Sequence, residues 1–221
     1  MRVRVKIAGL TLAALAAAGI FLWTYFDRGG CTAEAPWIFE TVYALPTAAM
    51  EPFLRQGETV LAERRYYCRH DPKRGDVAIF AAAAGAESVS VLRVVGLPGD
   101  RVALRASVLY LNGAPVERDW LESAIHADAD GNPRPETRAI ERLPEGPSYV
   151  VVIGDETGAA ENFTEVTVPP GQYLLLPDNR DQAPARGTPA ANALVPRALI
   201  ADRPAFVVWS RELGRIGRDL H

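Results

Sequence analysis

The chain has 221 residues and a formal net charge of −3, which leaves room for a membrane anchor and one domain with a sizeable core. Of its 24 basic and 27 acidic side chains, four and one lie in residues 1–30, so 20 basic and 26 acidic side chains remain beyond that point. Nucleic-acid-binding domains typically carry a basic stripe, and this mildly acidic sequence shows none, so nucleic acid is not an expected partner.

An apolar segment lies near the start of the chain. Ile7–Phe26 is 20 residues long without a charged side chain, and as a helix it would be about 30 Å long, the thickness of a hydrocarbon layer. The basic side chains of residues 1–6 predict a cytoplasmic N-terminus. A cleaved signal peptide is the alternative, but the segment ends in bulky aromatic residues rather than a small-x-small site. We therefore predict that residues 1–30 form a cytoplasmic tip and a single transmembrane anchor, and residues 31–221 an extracytoplasmic domain.

Short segments rich in β-branched and aromatic residues follow, each bounded by turn-forming residues. Strands are predicted at Trp37–Leu45, Gly57–Ala62, Asp76–Phe80, Ser88–Val95, Val102–Leu104, Val108–Leu111, Ala114–Val116, Tyr149–Ile153, Phe163–Val168, Gln172–Leu176, Ala198–Ile200 and Ala205–Trp209. Asn112–Gly113 predicts a two-residue hairpin turn. Residues 118–147 lack this pattern and are rich in Asp, Pro and Gly, so we interpret them as a variable surface insertion outside the core. The sequence predicts an all-β domain.

Four motifs carry the functional interpretation. They are Pro46–Leu54 (Pro-Thr-Ala-Ala-Met-Glu-Pro-Phe-Leu), Asp71–Phe80 (Asp-Pro-Lys-Arg-Gly-Asp-Val-Ala-Ile-Phe), Arg93–Asp100 (Arg-Val-Val-Gly-Leu-Pro-Gly-Asp) and Pro177–Ala183 (Pro-Asp-Asn-Arg-Asp-Gln-Ala), followed by Val195–Pro196. In this order the motifs resemble those of the bacterial type I signal peptidases, the S26 family of serine peptidases. The resemblance extends from the apolar segment to about Trp209.

The resemblance implies a signal-peptidase-like β-fold with one N-terminal transmembrane helix in the bacterial inner (cytoplasmic) membrane and a periplasmic domain. It further implies a role in protein export, with the signal peptides of exported preproteins as partners. In this family a variable second β-region takes the place of residues 118–147. No cofactor and no metal site are expected, since three His and two Cys give no ligand spacing.

The family cleaves with a Ser-Lys pair, and here the resembling positions are apolar. The nucleophile position is Ala49, the general-base position is Leu92, and the second Ser, which orients the Lys, falls on Ala183. Thr47 retains a hydroxyl at the position that stabilises the oxyanion. A Lys base must be neutral, which an apolar setting favours, but neither Leu nor Ala can take a proton.

The resemblance also assigns roles to the residues around these positions. Met50 and Pro52 are implied to contact the substrate. Arg93, Asp178, Arg180 and Asp181 are implied to hold the site together through charge pairs and turns.

We therefore expect a membrane-anchored homologue that has lost cleavage and acts by binding signal peptides or by partnering an active signal peptidase or the export machinery. The alternative is an active signal peptidase with an unrecognised dyad, in which Thr47 could serve as nucleophile, or an inactivated variant of one. Cys31 and Cys68 can pair in an oxidising compartment or remain free thiols, and the sequence leaves both outcomes open.

Overall fold

The computed structural model of the chain describes residues 41–81, 89–105, 107–121, 123–127, 133–153, 163–180 and 194–220. These residues belong to a compact unit that extends from Phe39 to His221. The predicted transmembrane segment, Cys31, Asp181 and Ala183 lie outside the described residues. Within the described ranges, no helix has the length and apolar character needed to cross a membrane.

Strands make up most of the regular structure. Numbered β1 to β15 in chain order, they span Thr41–Ala44, Thr59–Glu63, Val77–Ala81, Val89–Gly96, Arg101–Arg105, Val108–Leu111, Ala114–Pro115, Glu117–Trp120, Ala124–Ala127, Pro133–Arg142, Ser148–Ile153, Phe163–Thr167, Gln172–Leu176, Leu194–Pro196 and Ile200–Trp209. Short 3₁₀ turns span Tyr66–Cys68, Arg197–Leu199 and Leu213–Arg215. The part of the chain that the structure describes contains no α-helix, which confirms the all-β prediction.

The strands form antiparallel sheets. The largest has the order β1-β2-β15-β3-β4-β13-β14, and two smaller ones have the orders β12-β5-β6-β7 and β11-β10-β8, with β9 also paired to β10. In the large sheet, β4 lies between β3 and β13 and carries Leu92 and Arg93. Both positions therefore lie on a strand rather than on a loop.

The segment at residues 118–147 contains strands that its sequence pattern did not predict. β8 and β9 pair in succession with β10, with Trp120 opposite Ala139 and Ala124 opposite Glu136. Placing this segment outside the core is wrong for its second half, because Ala139, Glu141 and Leu143 are all buried. These three residues alternate with a period of two, as in a strand with one buried face, but the charged Glu141 concealed the apolar pattern.

β15 replaces two predicted strands. The prediction of a strand at residues 198–200 is wrong, because Arg197–Leu199 is a 3₁₀ turn and a single ten-residue strand begins at Ile200. Pro204 lies within this strand, where the pairing register with β2 shifts between Pro204 and Phe206. Such irregularities accommodate a proline, which has no N–H to donate to the ladder.

Cys68 ends the first 3₁₀ turn, with its N–H donating to the Arg65 carbonyl at 3.0 Å. It is disulfide-bonded. The free-thiol alternative is therefore excluded for this cysteine.

Candidate functional site

The Pro46–Leu54 motif forms a tight turn between β1 and β2. The Glu51 N–H donates to the Ala48 carbonyl at 3.1 Å, and the Leu54 N–H donates to the Met50 carbonyl at 2.9 Å. The second of these bonds joins residues four apart, as in one turn of an α-helix. Residues 50 and 54 therefore lie one above the other on the same side of the turn.

The inner side of the turn is anchored in the core. Met50 is 3% exposed and Leu54 is fully buried, and both pack in an apolar cluster with Val60. Thr47 is exposed and Ala49 is half-buried, so the predicted positions of the oxyanion hydroxyl and the nucleophile are both accessible to solvent. Met50, predicted to contact substrate, supports the turn from within the core.

Leu92, at the general-base position, lies in β4 opposite Ala78 of β3. Its half-buried side chain packs against the cluster that contains Met50 and also against the cluster that contains Tyr67. Apolar surroundings of this kind disfavour a charged ammonium group. The base position and the turn thus share one apolar cluster.

Main-chain hydrogen bonds join the turn to the fourth motif. The Asn179 N–H donates to the Ala49 carbonyl at 2.9 Å. On its other side, this segment pairs in parallel with β11, where the Val152 N–H donates to the Asp178 carbonyl at 3.0 Å. The carbonyl of the nucleophile position is therefore held by the backbone of the fourth motif.

A buried ion pair joins the third motif to the fourth. The Arg93 guanidinium binds the Asp178 carboxylate through Nε to Oδ1 at 2.7 Å and Nη2 to Oδ2 at 2.6 Å, and its Nη1 donates to the Gly75 carbonyl at 2.7 Å. Burial lowers the pKa of Arg93, but the Asp178 carboxylate outweighs this effect, so the pKa is raised. Arg93 also lies over the Phe53 and Tyr149 rings, at 5.1 and 4.3 Å from their centroids.

A second buried charge cluster centres on Glu141. Its Oε2 accepts hydrogen bonds from Arg180 Nη2 at 2.6 Å and from the Tyr149 hydroxyl at 2.6 Å, while Oε1 pairs with Arg118 Nη2. Burial by itself raises the pKa of the Glu141 carboxyl, but the positive charges of Arg180 and Arg118 bring it below its usual value. This ionised carboxylate fixes β8, β10, β11 and the fourth motif together.

The C-terminal segment also holds the turn. Arg215 Nε and Nη2 contact the Glu58 carboxylate at 2.5 and 3.0 Å, and Nη2 also donates to the Phe53 carbonyl at 3.0 Å. Arg218 Nη1 donates to the same carbonyl at 3.2 Å. Burial raises the pKa of Glu58, but hydrogen bonds from Arg215, Arg55 and Ser210 have the larger effect. The pKa of Glu58 is therefore lowered.

A cavity of about 490 Å³ opens beside Pro52 and Phe53 of the turn. Its charged lining comprises the guanidinium groups of Arg93, Arg203 and Arg218 and the Asp76 carboxylate. The rings of Phe53 and Tyr149 and three prolines, Pro52 among them, supply apolar walls. A cavity of this volume and mixed lining is of the kind that takes small ligands or peptide side chains.

The structure brings together most of the site residues that the resemblance implies. Contacts link Ala49 to Asn179, Asp178 to Arg93, and Leu92 to the cluster that contains Met50. Residues 181 and 183 lie outside the described ranges. Glu141, Glu58 and Arg215 were missed, because no motif includes them. For Glu141, only the period-two burial of residues 139–143 could have indicated a buried position.

Comparisons with known proteins place the chain in a family. The family described as signal peptidase, peptidase S26, matches residues 34–201. The signal peptidase I of Rickettsia bellii (strain OSU 85-389) is 35% identical over 121 residues, 51% of this chain and 39% of that protein. The signal peptidase I of Rickettsia akari (strain Hartford) is 32% identical over 132 residues, 56% of this chain and 47% of that protein. The chain thus spans less than half the length of these curated relatives.

Among solved structures, the crystal structure of a signal peptidase I from Enterococcus faecalis V583 is similar to this chain, with 22% sequence identity. The match covers 59% of this chain and 93% of that chain, with a TM-score of 0.32. A score this low carries no argument about the fold. The family match, in contrast, covers more than half of the chain, so the protein is a member of a peptidase family. That family is the signal peptidases, peptidase S26, as the sequence motifs predict.

Proposed function

We propose that the protein is a membrane-anchored signal peptidase homologue that binds the signal-peptide ends of exported preproteins and does not cleave them. One observation carries this proposal: Leu92, at the predicted general-base position, packs against two apolar clusters. Around it, the Asn179 N–H binds the Ala49 carbonyl and Arg93 pairs with Asp178. A framework without a nucleophile or a base supports binding rather than hydrolysis.

The peptide-binding edge in this proposal is the first half of β4. β13 ends at Leu176 opposite Arg93, so among the described residues Val89–Leu92 has a strand neighbour only in β3. Main-chain groups on the open edge can pair with an extended peptide, and this mode of binding needs no catalytic side chain. Leu92 and Ala49 are both half-buried apolar residues, which in this proposal contact the small side chains of the peptide.

The binding test is a titration of the full-length protein in detergent with a labelled peptide that ends in Ala-x-Ala, and with a scrambled peptide of the same composition. We expect saturable binding of the first peptide and weak binding of the second. Equal affinities would remove the binding proposal.

The cleavage test uses a preprotein incubated with the unaltered protein and with Ala49→Ser. Neither should cleave, since a serine alone has no base to take its proton. Robust cleavage by the unaltered protein would establish the enzymatic alternative. In that case Thr47→Val and the matched Thr47→Ser would decide whether the Thr47 hydroxyl is the nucleophile.

The proposed location is the bacterial inner membrane, with one span at residues 7–26, a cytoplasmic N-terminus and a periplasmic domain. Its support is the basic charge of residues 1–6 ahead of an uncharged 20-residue stretch. Protease added to spheroplasts should digest the domain. Survival of the domain while a periplasmic control protein is degraded would show that the topology is wrong.

A further inference from the structure

The cavity beside the motif turn lies within reach of a peptide that passes Ala49. Phe53, in the cavity wall, follows Ala49 by four residues, and the turn between them advances only about 1.5 Å per residue, or some 6 Å. An extended peptide advances about 3.3 Å per residue. The peptide residue that lies two or three positions beyond the one contacting Ala49 would therefore reach the cavity.

Three arginines and one aspartate, Asp76, line this cavity. Of the three guanidinium groups that line it, Arg93 is neutralised by Asp178, and Arg203 binds Glu63 Oε2 at 2.8 Å. The Arg218 guanidinium has no ion pair with an acidic side chain among the described residues, and the hydrogen bond that it makes there goes to the Phe53 carbonyl. The cavity thus presents one guanidinium with spare donors and no countercharge in contact.

Two neighbouring arginines, Arg215 and Arg55, add to the positive potential at Arg218. Burial lowers the pKa of Arg218, and the positive charges of Arg215 and Arg55 lower it further, whereas the Glu58 carboxylate raises it. Glu58 is itself engaged by Arg215 and Ser210. An anion at Arg218 would therefore relieve repulsion among like charges as well as form a new ion pair.

The remaining walls suit a polypeptide segment better than a bare ion. The Phe53 ring lies near two guanidinium groups, with Arg93 at 5.1 Å and Arg218 at 5.4 Å from its centroid. Asp76, the one carboxylate in the lining, accepts a hydrogen bond from the Lys73 N–H at 2.8 Å. A chain with apolar parts against the aromatic and proline walls and a carboxylate at Arg218 would match this surface.

We infer that this cavity binds the part of an exported chain that follows the signal peptide, and that Arg218 selects segments with an acidic side chain there. The inference rests on the proposed function, because it assumes that the same peptide passes Ala49. It adds a second recognition site, which Arg93 of β4 and Phe53 of the turn both line.

The test compares peptides that share the Ala-x-Ala sequence and continue as Gly-Glu-Glu-Gly, Gly-Gln-Gln-Gly or Gly-Lys-Lys-Gly. Affinities are measured with the full-length protein and with Arg218→Gln. The matched control is Arg211→Gln, which removes an exposed arginine that does not line the cavity. The wild type should bind the Glu peptide about fivefold more tightly than the Gln peptide, the effect of one ion pair partly screened by solvent.

The variants decide the role of Arg218. Arg218→Gln should reduce the Glu-to-Gln ratio to about one, Arg211→Gln should leave it unchanged, and Arg218→Glu should favour the Lys peptide. Equal affinities of the Glu and Gln peptides for the wild type, or an unchanged ratio in Arg218→Gln, would overturn the inference.

The unextended Ala-x-Ala peptide separates this inference from the proposed function. If this peptide binds equally to the wild type and to Arg218→Gln, the variant is folded and the β4 edge binds peptide. An absent preference for the Glu peptide would then contradict the inference about the cavity but not the proposed function. If the unextended peptide fails to bind while the extension Gly-Glu-Glu-Gly alone binds through Arg218, the proposed function fails and the cavity site remains.

Discussion

Replacing Leu92 by lysine tests whether an apolar side chain is needed at the general-base position. Leu92 packs against two apolar clusters but is only half-buried, so a lysine there could bring its ammonium group partly to solvent. We therefore expect Leu92→Lys to lower the free energy of unfolding by about 2 kcal/mol at pH 6, near the lower end of the cost of burying an uncompensated polar group. Leu92→Met, which keeps an apolar side chain of similar volume, should cost less than about 1.5 kcal/mol.

The pH dependence separates a charge effect from a packing effect. Burial lowers the pKa of a lysine in the folded state below its unfolded value of about 10.4. The penalty is then fully present below the folded pKa and disappears as the pH rises towards the unfolded pKa, because the neutral amine is tolerated. Urea denaturation of both variants in detergent at pH 6 and pH 9.5 should show the gap between them narrowing. A lysine variant as stable as the methionine variant at pH 6 would refute the reasoning.

Three further outcomes are expected. Ala49→Ser combined with Leu92→Lys should give at most weak cleavage of a preprotein, because the position of the orienting hydroxyl is still apolar; a rate equal to that of an active signal peptidase would contradict this. Asp178→Asn leaves the Arg93 guanidinium buried without its countercharge and should cost about 3–5 kcal/mol of unfolding free energy, against less than about 1 kcal/mol for the exposed Asp119→Asn. The lowered pKa of Glu141 stabilises the folded protein above the unfolded pKa of about 4.3, and this stabilisation is lost as the pH falls through the folded pKa. The melting temperature of Glu141→Gln should therefore vary less with pH than that of the wild type at acidic pH.

Local patterns predicted the strands that are rich in β-branched, aromatic and other apolar residues. β4, β6, β11 and β13 lie within a residue or so of their predicted bounds, and Asn112–Gly113 forms the predicted turn. The pattern did not predict β10, because ion pairs rather than apolar contacts bury its Glu141. Such a pairing depends on residues 39 positions apart in the chain and leaves no local signal.

Motif spacing predicted which positions belong to the candidate site but not which residues surround them. Arg93 and Asp178 could be assigned from the motifs, and their side chains are in contact. The cavity could not be predicted, because Arg203 and Arg218 reach it from the C-terminal part of the chain, where no motif was found. β15, inserted between β2 and β3, sets this tertiary arrangement.

The carboxylate of Glu141 has a dynamic consequence for the motif turn. It bonds the β8–β10 hairpin to Arg180, and Arg180 directly follows Asn179, whose N–H holds the Ala49 carbonyl. Local opening of the hairpin would release Arg180 and loosen that hold, so the hairpin and the turn should exchange their amide hydrogens as one cooperative unit. The hairpin would in this way set how often the proposed peptide-binding edge fluctuates, without contacting the peptide.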